Sequence, residues 1–214
     1  MPSEKLFGRY DDLIRLLLGF ALTGIVGTYL AQTYTTKQAN LVTAGKIFSD
    51  QSELMGNRYF VMNRITNAYE DNKAVANAVS ADDIKSRWQE YKSVLQKWNS
   101  SRGYNREMMR LYFGNVLWEE ERQIHYLFRA WGQSLEAEYR QPDSVDLACV
   151  NKNVNVLMSK IHSLQFQMAA AIQAGKIGPG RDQSKVTVDK PLDAWCLVAV
   201  AEQNSAPNIP AAAQ

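Results

Sequence analysis

The chain has 214 residues, 46% of them apolar, and 24 Lys and Arg against 22 Asp and Glu give a formal charge of +2. That length buries a core without help from disulfides or metals, and basic residues interspersed with acidic ones exclude a dedicated nucleic-acid surface. Only two histidines and two cysteines occur, none with a partner at metal-ligand spacing, so neither a zinc framework nor any other cofactor site is expected.

Residues 1–12 form a short N-terminal segment. From Leu16 to Ala31 the chain reads LLLGFALTGIVGTYLA without a charge. With Leu13 and Ile14 this extends toward the roughly 20 residues that a bilayer-spanning helix needs, so residues 13–34 are predicted to form a transmembrane helix. Arg15 can snorkel to the headgroups, and Tyr10, Tyr29 and Tyr34 suit the two interfaces. A cleaved signal is disfavoured, because Tyr29-Leu30-Ala31 puts a bulky tyrosine where cleavage wants a small residue. Lys5, Arg9 and Arg15 before the span outnumber Lys37 and Lys46 soon after it, which predicts a cytoplasmic N-terminus and an extracytoplasmic remainder in an inner (plasma) membrane. Gly19, Thr23, Gly27 and Ala31 recur every four residues. Such a stripe lets two membrane helices approach closely, although glycine is also simply common in them.

Residues 35–175 read as a helical bundle domain. In its first helix Ala44, Phe48, Met55, Met62, Ile65 and Tyr69 are spaced by threes, fours and sevens, a coiled-coil-like seam. Gln51 and Arg58 fall on the same seam and read as partly solvated edge positions. Ser80-Ala81-Asp82-Asp83 starts a second helix, with acidic groups at its positive end. Ile84, Trp88, Tyr91, Leu95 and Trp98 form its core stripe, and the turn formers Asn99 to Gly103 are expected to end it. A third helix follows from about Asn105 to Tyr139, burying Phe113, Leu117, Ile124, Phe128, Trp131 and Leu135, with Glu119-Glu120-Glu121-Arg122 turned mostly outward. Gln141 to Ser144 stops it. The fourth helix has an unbroken heptad: Leu147, Val150, Val154, Leu157, Ile161, Leu164, Met168 and Ala171.

The expected fold is therefore all-α: an N-terminal transmembrane helix, an up-down four-helix bundle, and a mostly irregular C-terminal tail over residues 176–214. Within the tail an apolar patch at 192–201 is expected to dock on the bundle. Cys149 and Cys196, both in the portion placed on the extracytoplasmic (periplasmic) side, are candidates for a disulfide that would pin that patch.

No nucleophile elbow, phosphate loop, dinucleotide fingerprint or C-x-x-C motif is present, so no catalytic residue is assigned and an enzyme is not expected. Glu121 and His125 are four apart but lack the second Glu-x-x-His of a bundle di-iron site, and His162 beside the last heptad reads as structural. Trp88, Trp98 and Trp118 with neighbouring tyrosines are core material first and a ligand pocket second. Tyr104, Arg106, Arg110 and Tyr112 make a candidate basic and aromatic surface for a partner or an anion. The leading expectation is a non-enzymatic, single-pass scaffold, adaptor or regulatory subunit of a membrane or envelope assembly, touching lipid and a protein partner or a second copy of itself. The alternative is ligand sensing: the layout resembles the extracytoplasmic four-helix bundles of bacterial chemoreceptors in architecture, though in no residue motif, and a small-molecule ligand would then be its partner.

Overall fold

The computed structural model describes residues 4–179 and Cys196, with side chains from Phe20 onward except Ala21. Four helices make it up: α1 (Glu4–Ala74), α2 (Ala81–Phe113), α3 (Asn115–Arg140) and α4 (Leu147–Gln173). No strand occurs among the described residues. Successive helices run antiparallel and pack in the cyclic order of the chain, α1 on α2, α2 on α3, α3 on α4 and α4 back on α1. This is the up-down four-helix bundle expected of four amphipathic segments joined by short connections.

The core follows the seams. Ala44, Met55, Met62, Ile65 and Tyr69 of α1 are buried, as are Trp88, Tyr91 and Trp98 of α2. From α3 come Leu117, Ile124, Phe128, Trp131 and Leu135, and α4 contributes its heptad from Leu147 to Met168. Indole groups enter this core with partners for their N–H: Trp131 Nε1 donates to Thr66 Oγ1 at 3.0 Å, and Trp88 Nε1 donates to Tyr69 Oη at 2.8 Å.

At the end nearer the N-terminus, the base, the Gly178 N–H donates to the Tyr112 carbonyl at 3.1 Å and ties the exit of α4 to α2. The opposite end is fixed by caps. Ser80 Oγ accepts from Asp83 N at 3.1 Å, and Asp146 Oδ1 accepts from Ala148 N at 3.0 Å and Cys149 N at 3.2 Å. Glu138, 5% exposed, receives the N–H groups of Asp143 and Val145 at 3.0 Å each, and Lys73 Nζ lies 3.3 Å from it. One buried carboxylate thus shapes the α3–α4 connection and joins it to the end of α1. Cys149 and Cys196 sit at disulfide distance there, Cα atoms 5.6 Å apart, and Asp146 N donates to the Cys196 carbonyl at 3.0 Å. A crosslink across 47 residues stabilises by about 4 kcal/mol on the chain-entropy account. The rest of the expected docking patch at 192–201 lies outside the described residues.

Two boundaries differ from expectation. Asn99 to Gly103 does not break the helix: α2 runs through it, and the hydroxyls of Ser100 and Ser101 donate to the Lys97 carbonyl at 2.9 and 2.8 Å, satisfied inside the helix. The reversal comes instead at the single residue Gly114, φ 86° and ψ 176°, a backbone conformation essentially restricted to glycine. Its N–H still donates to the Arg110 carbonyl at 3.0 Å, so α2 ends and α3 begins with one residue between them.

Below the bundle α1 continues without a neighbour among the described residues. Phe20, Leu22, Ile25, Tyr29, Leu30 and Tyr34 are each at least 60% exposed, although a helix of this composition would normally bury such side chains. Among the described residues no helix is long and apolar enough to cross a membrane. The expected span 13–34 includes residues 13–19 and 21, whose side chains lie outside the description.

Gly114→Ala is expected to cost about 1–3 kcal/mol, because alanine must hold a backbone conformation it rarely adopts. Denaturant unfolding measures this, and an unchanged midpoint would show that the hairpin does not rest on the glycine.

Candidate functional site

Trp98, Arg102 and Arg106 follow one another at intervals of four along α2, and Trp118, Glu121 and His125 at three and four along α3. Because the two helices run antiparallel from Gly114, these stripes face each other. Arg58 enters from α1. Its guanidinium lies 5.1 Å from the Trp98 ring centroid and 4.9 Å from that of Phe128, and the residue is 2% exposed. Cation–π contacts in a desolvated setting contribute ~2 kcal/mol, which offsets part of the cost of taking the charge from water.

Glu121 is completely buried. Its nearest cations are Arg102 Nε at 3.8 Å and Arg106 Nε at 3.9 Å, attractive distances but too long for hydrogen bonds. Arg106 also lies 4.4 Å from the Trp118 ring centroid, and His125 stacks on Trp98 with centroids 6.2 Å apart. Glu119, also buried, receives Arg122 Nε at 2.8 Å on its own helix. Gln51 and Arg58 are thus core residues and not solvated edges, and Glu119 and Glu121 point inward. Charge pattern alone turns them outward; the burial is made possible by Arg102 and Arg106 of α2 beside Glu121, by Arg122 of α3 itself on Glu119, and by the rings of Trp98 and Phe128 against Arg58.

The electrostatics follow from this packing. Burial pushes the Glu121 carboxyl above the usual range, with Arg102 and Arg106 opposing. Burial lowers Arg58, opposed by Tyr91. His125 falls to about 3, through burial first and then the positive charge of Arg102, Arg58, Arg106 and Arg129. At ordinary pH the imidazole is therefore neutral, and the groups that act on Glu121 are the guanidinium groups of Arg102 and Arg106 and the neighbouring carboxylate of Glu119.

Polar satisfaction is incomplete. Ten buried side-chain nitrogen and oxygen atoms have no hydrogen-bond partner among the described residues, and nine belong to this cluster: Arg58 Nε and Nη1, the Nε of Arg102 and Arg106, the indole nitrogens of Trp98 and Trp118, both Glu121 oxygens and His125 Nδ1. Each such group left unmade costs about 1–3 kcal/mol. Nine of them together are comparable with the whole stability of a domain, about 5–15 kcal/mol, so the cluster is a costly one to leave unpaired.

A second feature is a cleft of about 660 Å³ at the bundle end farther from the N-terminus, lined among others by Tyr69, Lys73, Ile84, Lys85, Tyr139 and Asp143.

The residues singled out from sequence are dispersed. Tyr104 is 69% exposed on one side of α2, whereas Arg106 and Arg110 lie on another, Arg106 in the buried cluster and Arg110 Nε donating to Glu107 at 3.0 Å. The Tyr112 carbonyl is used by Gly178. Of the small-residue stripe, Thr23, Gly27 and Ala31 are exposed, and nothing lies within 4 Å of where a Gly27 side chain would begin; the side of Gly19 is not described. Cys149 and Cys196 are together. His162 is exposed. Among the described residues no group of three His, Cys, Asp or Glu side chains is arranged to hold a metal ion.

No protein-family model, no curated protein and no solved structure matches this chain.

His125 sets a pH dependence. The unfolded imidazole takes a proton near pH 6.5 and the folded one only near 3, so its contribution to stability is complete above about 6.5 and is lost as pH falls toward 3. Glu121, raised, acts in the opposite sense in acid. Melting temperature measured from pH 8 to 4 is expected to fall below pH 6.5, and His125→Gln to flatten that fall; an equal slope in both proteins would contradict it.

Proposed function

We propose that this chain is a non-enzymatic, membrane-anchored helical bundle that serves as a scaffold, adaptor or regulatory subunit of a membrane or envelope assembly. The observation that supports it is the apolar projection of α1, where Phe20, Leu22, Ile25 and Leu30 stand exposed on a helix that meets no other described element. Water is an unfavourable solvent for such a surface, at about 25 cal/mol per Å² of apolar area, and a bilayer is the favourable one. On this reading residues 13–34 span the membrane with the N-terminus cytoplasmic. Helix α1 then carries the anchor into the bundle without a hinge, and the small residues Gly19, Thr23, Gly27 and Ala31 let a second copy or a partner's helix pack beside it. A disulfide between Cys149 and Cys196 agrees with an extracytoplasmic bundle.

Ligand sensing is the second reading, and the cleft between Tyr69, Lys85 and Tyr139 favours it, being of the size that holds small molecules.

The anchor is tested by fractionation. The full chain is expected to stay in the membrane pellet through alkaline carbonate and to leave only with detergent, while the chain lacking residues 1–34 is expected in the supernatant. Crosslinking both versions in cells names the assembly: protein neighbours lost with the anchor support the scaffold, and a full-length chain released by carbonate counts against it.

A further inference from the structure

The unsatisfied groups of the cluster are unequal in kind. Six are N–H donors, on Arg58, Trp98, Arg102, Arg106 and Trp118, against the two Glu121 oxygens and His125 Nδ1. The charges are unequal as well: Arg58, Arg102 and Arg106 all act on His125, against Glu121 and the neighbouring Glu119, which Arg122 already pairs. A group rich in acceptors that carries two negative charges answers both imbalances; water can accept from these donors but leaves the charge unanswered. Tetrahedral oxyanions have that character, and guanidinium forks are their common protein partners.

Access and source are constrained by position. Arg102 and Arg106 are each about a quarter exposed and open the cluster to solvent, while Arg58 closes its inner side. Arg58 is 24 residues beyond Tyr34, which at 1.5 Å per residue places it ~36 Å along α1, too far for a lipid headgroup at the end of the proposed span. The anion is therefore a free solute.

We infer that Arg58, Arg102 and Arg106 form a binding site for a small doubly charged oxyanion of the phosphate type, with Glu121 as the internal competitor that holds Arg102 and Arg106 in place. The site lies wholly within the bundle, and only the exclusion of a lipid headgroup as the source rests on the anchoring reading.

The test uses the full chain in detergent micelles at neutral pH. Equilibrium dialysis with radiolabelled inorganic phosphate, at constant ionic strength set by sodium chloride, is expected to show saturable binding of one phosphate per chain, with a matching rise in melting temperature. Arg106→Gln is expected to weaken it at least tenfold, and Glu121→Gln, which removes the competing carboxylate, to tighten it several-fold. The absence of saturable binding to the unmodified chain overturns the proposal, as does binding that is indifferent to both substitutions, which marks an adventitious ion only. Should Arg106→Gln fail to fold, the stoichiometry of the unmodified chain and the direction of the Glu121→Gln change decide.

Discussion

Helix α1 has to remove two apolar surfaces from water, and only one finds a partner among the described residues. From Ala44 to Tyr69 its seam is covered by α2, α3 and α4, and the bundle assembles around it. Lower down, Phe20, Leu22, Ile25, Tyr29, Leu30 and Tyr34 are exposed and meet no other described helix. Both surfaces belong to one uninterrupted helix, so whatever takes up the lower one also fixes where the bundle stands. The functional proposal and the fold meet in that continuity.

Inside the bundle the costly choice is charge. A core of Leu, Ile, Val and aromatic residues alone would hold four helices together, yet this one buries Arg58 and Glu121 and lets Arg102, Arg106 and His125 share their surroundings. Burying ions is weak support for stability, and replacement by apolar groups of the same volume is often neutral or favourable. The aromatic faces of Trp98, Phe128 and Trp118 reduce the cost without removing it. An arrangement of this kind is better accounted for by what it binds than by what it contributes to folding. It also depends on Gly114: only a one-residue reversal brings the Trp98-Arg102-Arg106 stripe opposite Trp118-Glu121-His125.

Much of the fold was legible because hydrophobic period is a local signal. The α4 heptad, the α1 seam, the Ser80 start of α2 and the stop after Arg140 all follow from spacing and capping chemistry. The α2–α3 boundary did not, since Asn99 to Gly103 carries turn-forming residues whose hydroxyls turn out to bond within the helix, whereas Gly114 is a lone glycine in a run of helix formers. That misplaced boundary hid the cluster as well. Reading Trp98 and Arg106 on different helices removes the stripe they form, and Glu121 beside Glu119 and Glu120 looks like a solvated acidic face until α2 is placed against it. Charge pattern alone carries no information about what lies opposite; the repeat of 98, 102 and 106 against 118, 121 and 125 was the available signal.

The claim on which the account rests is that one helix passes from lipid into the bundle. Spin labels placed singly at Leu22, Ile25, Tyr29, Gln38 and Val42 of the chain in liposomes, read by power saturation with oxygen and with a water-soluble nickel chelate, test it directly. Oxygen is expected to be the more effective relaxant at Leu22, Ile25 and Tyr29 and the chelate at Gln38 and Val42, with the crossover near Tyr34. Chelate accessibility equal at all five positions would contradict it.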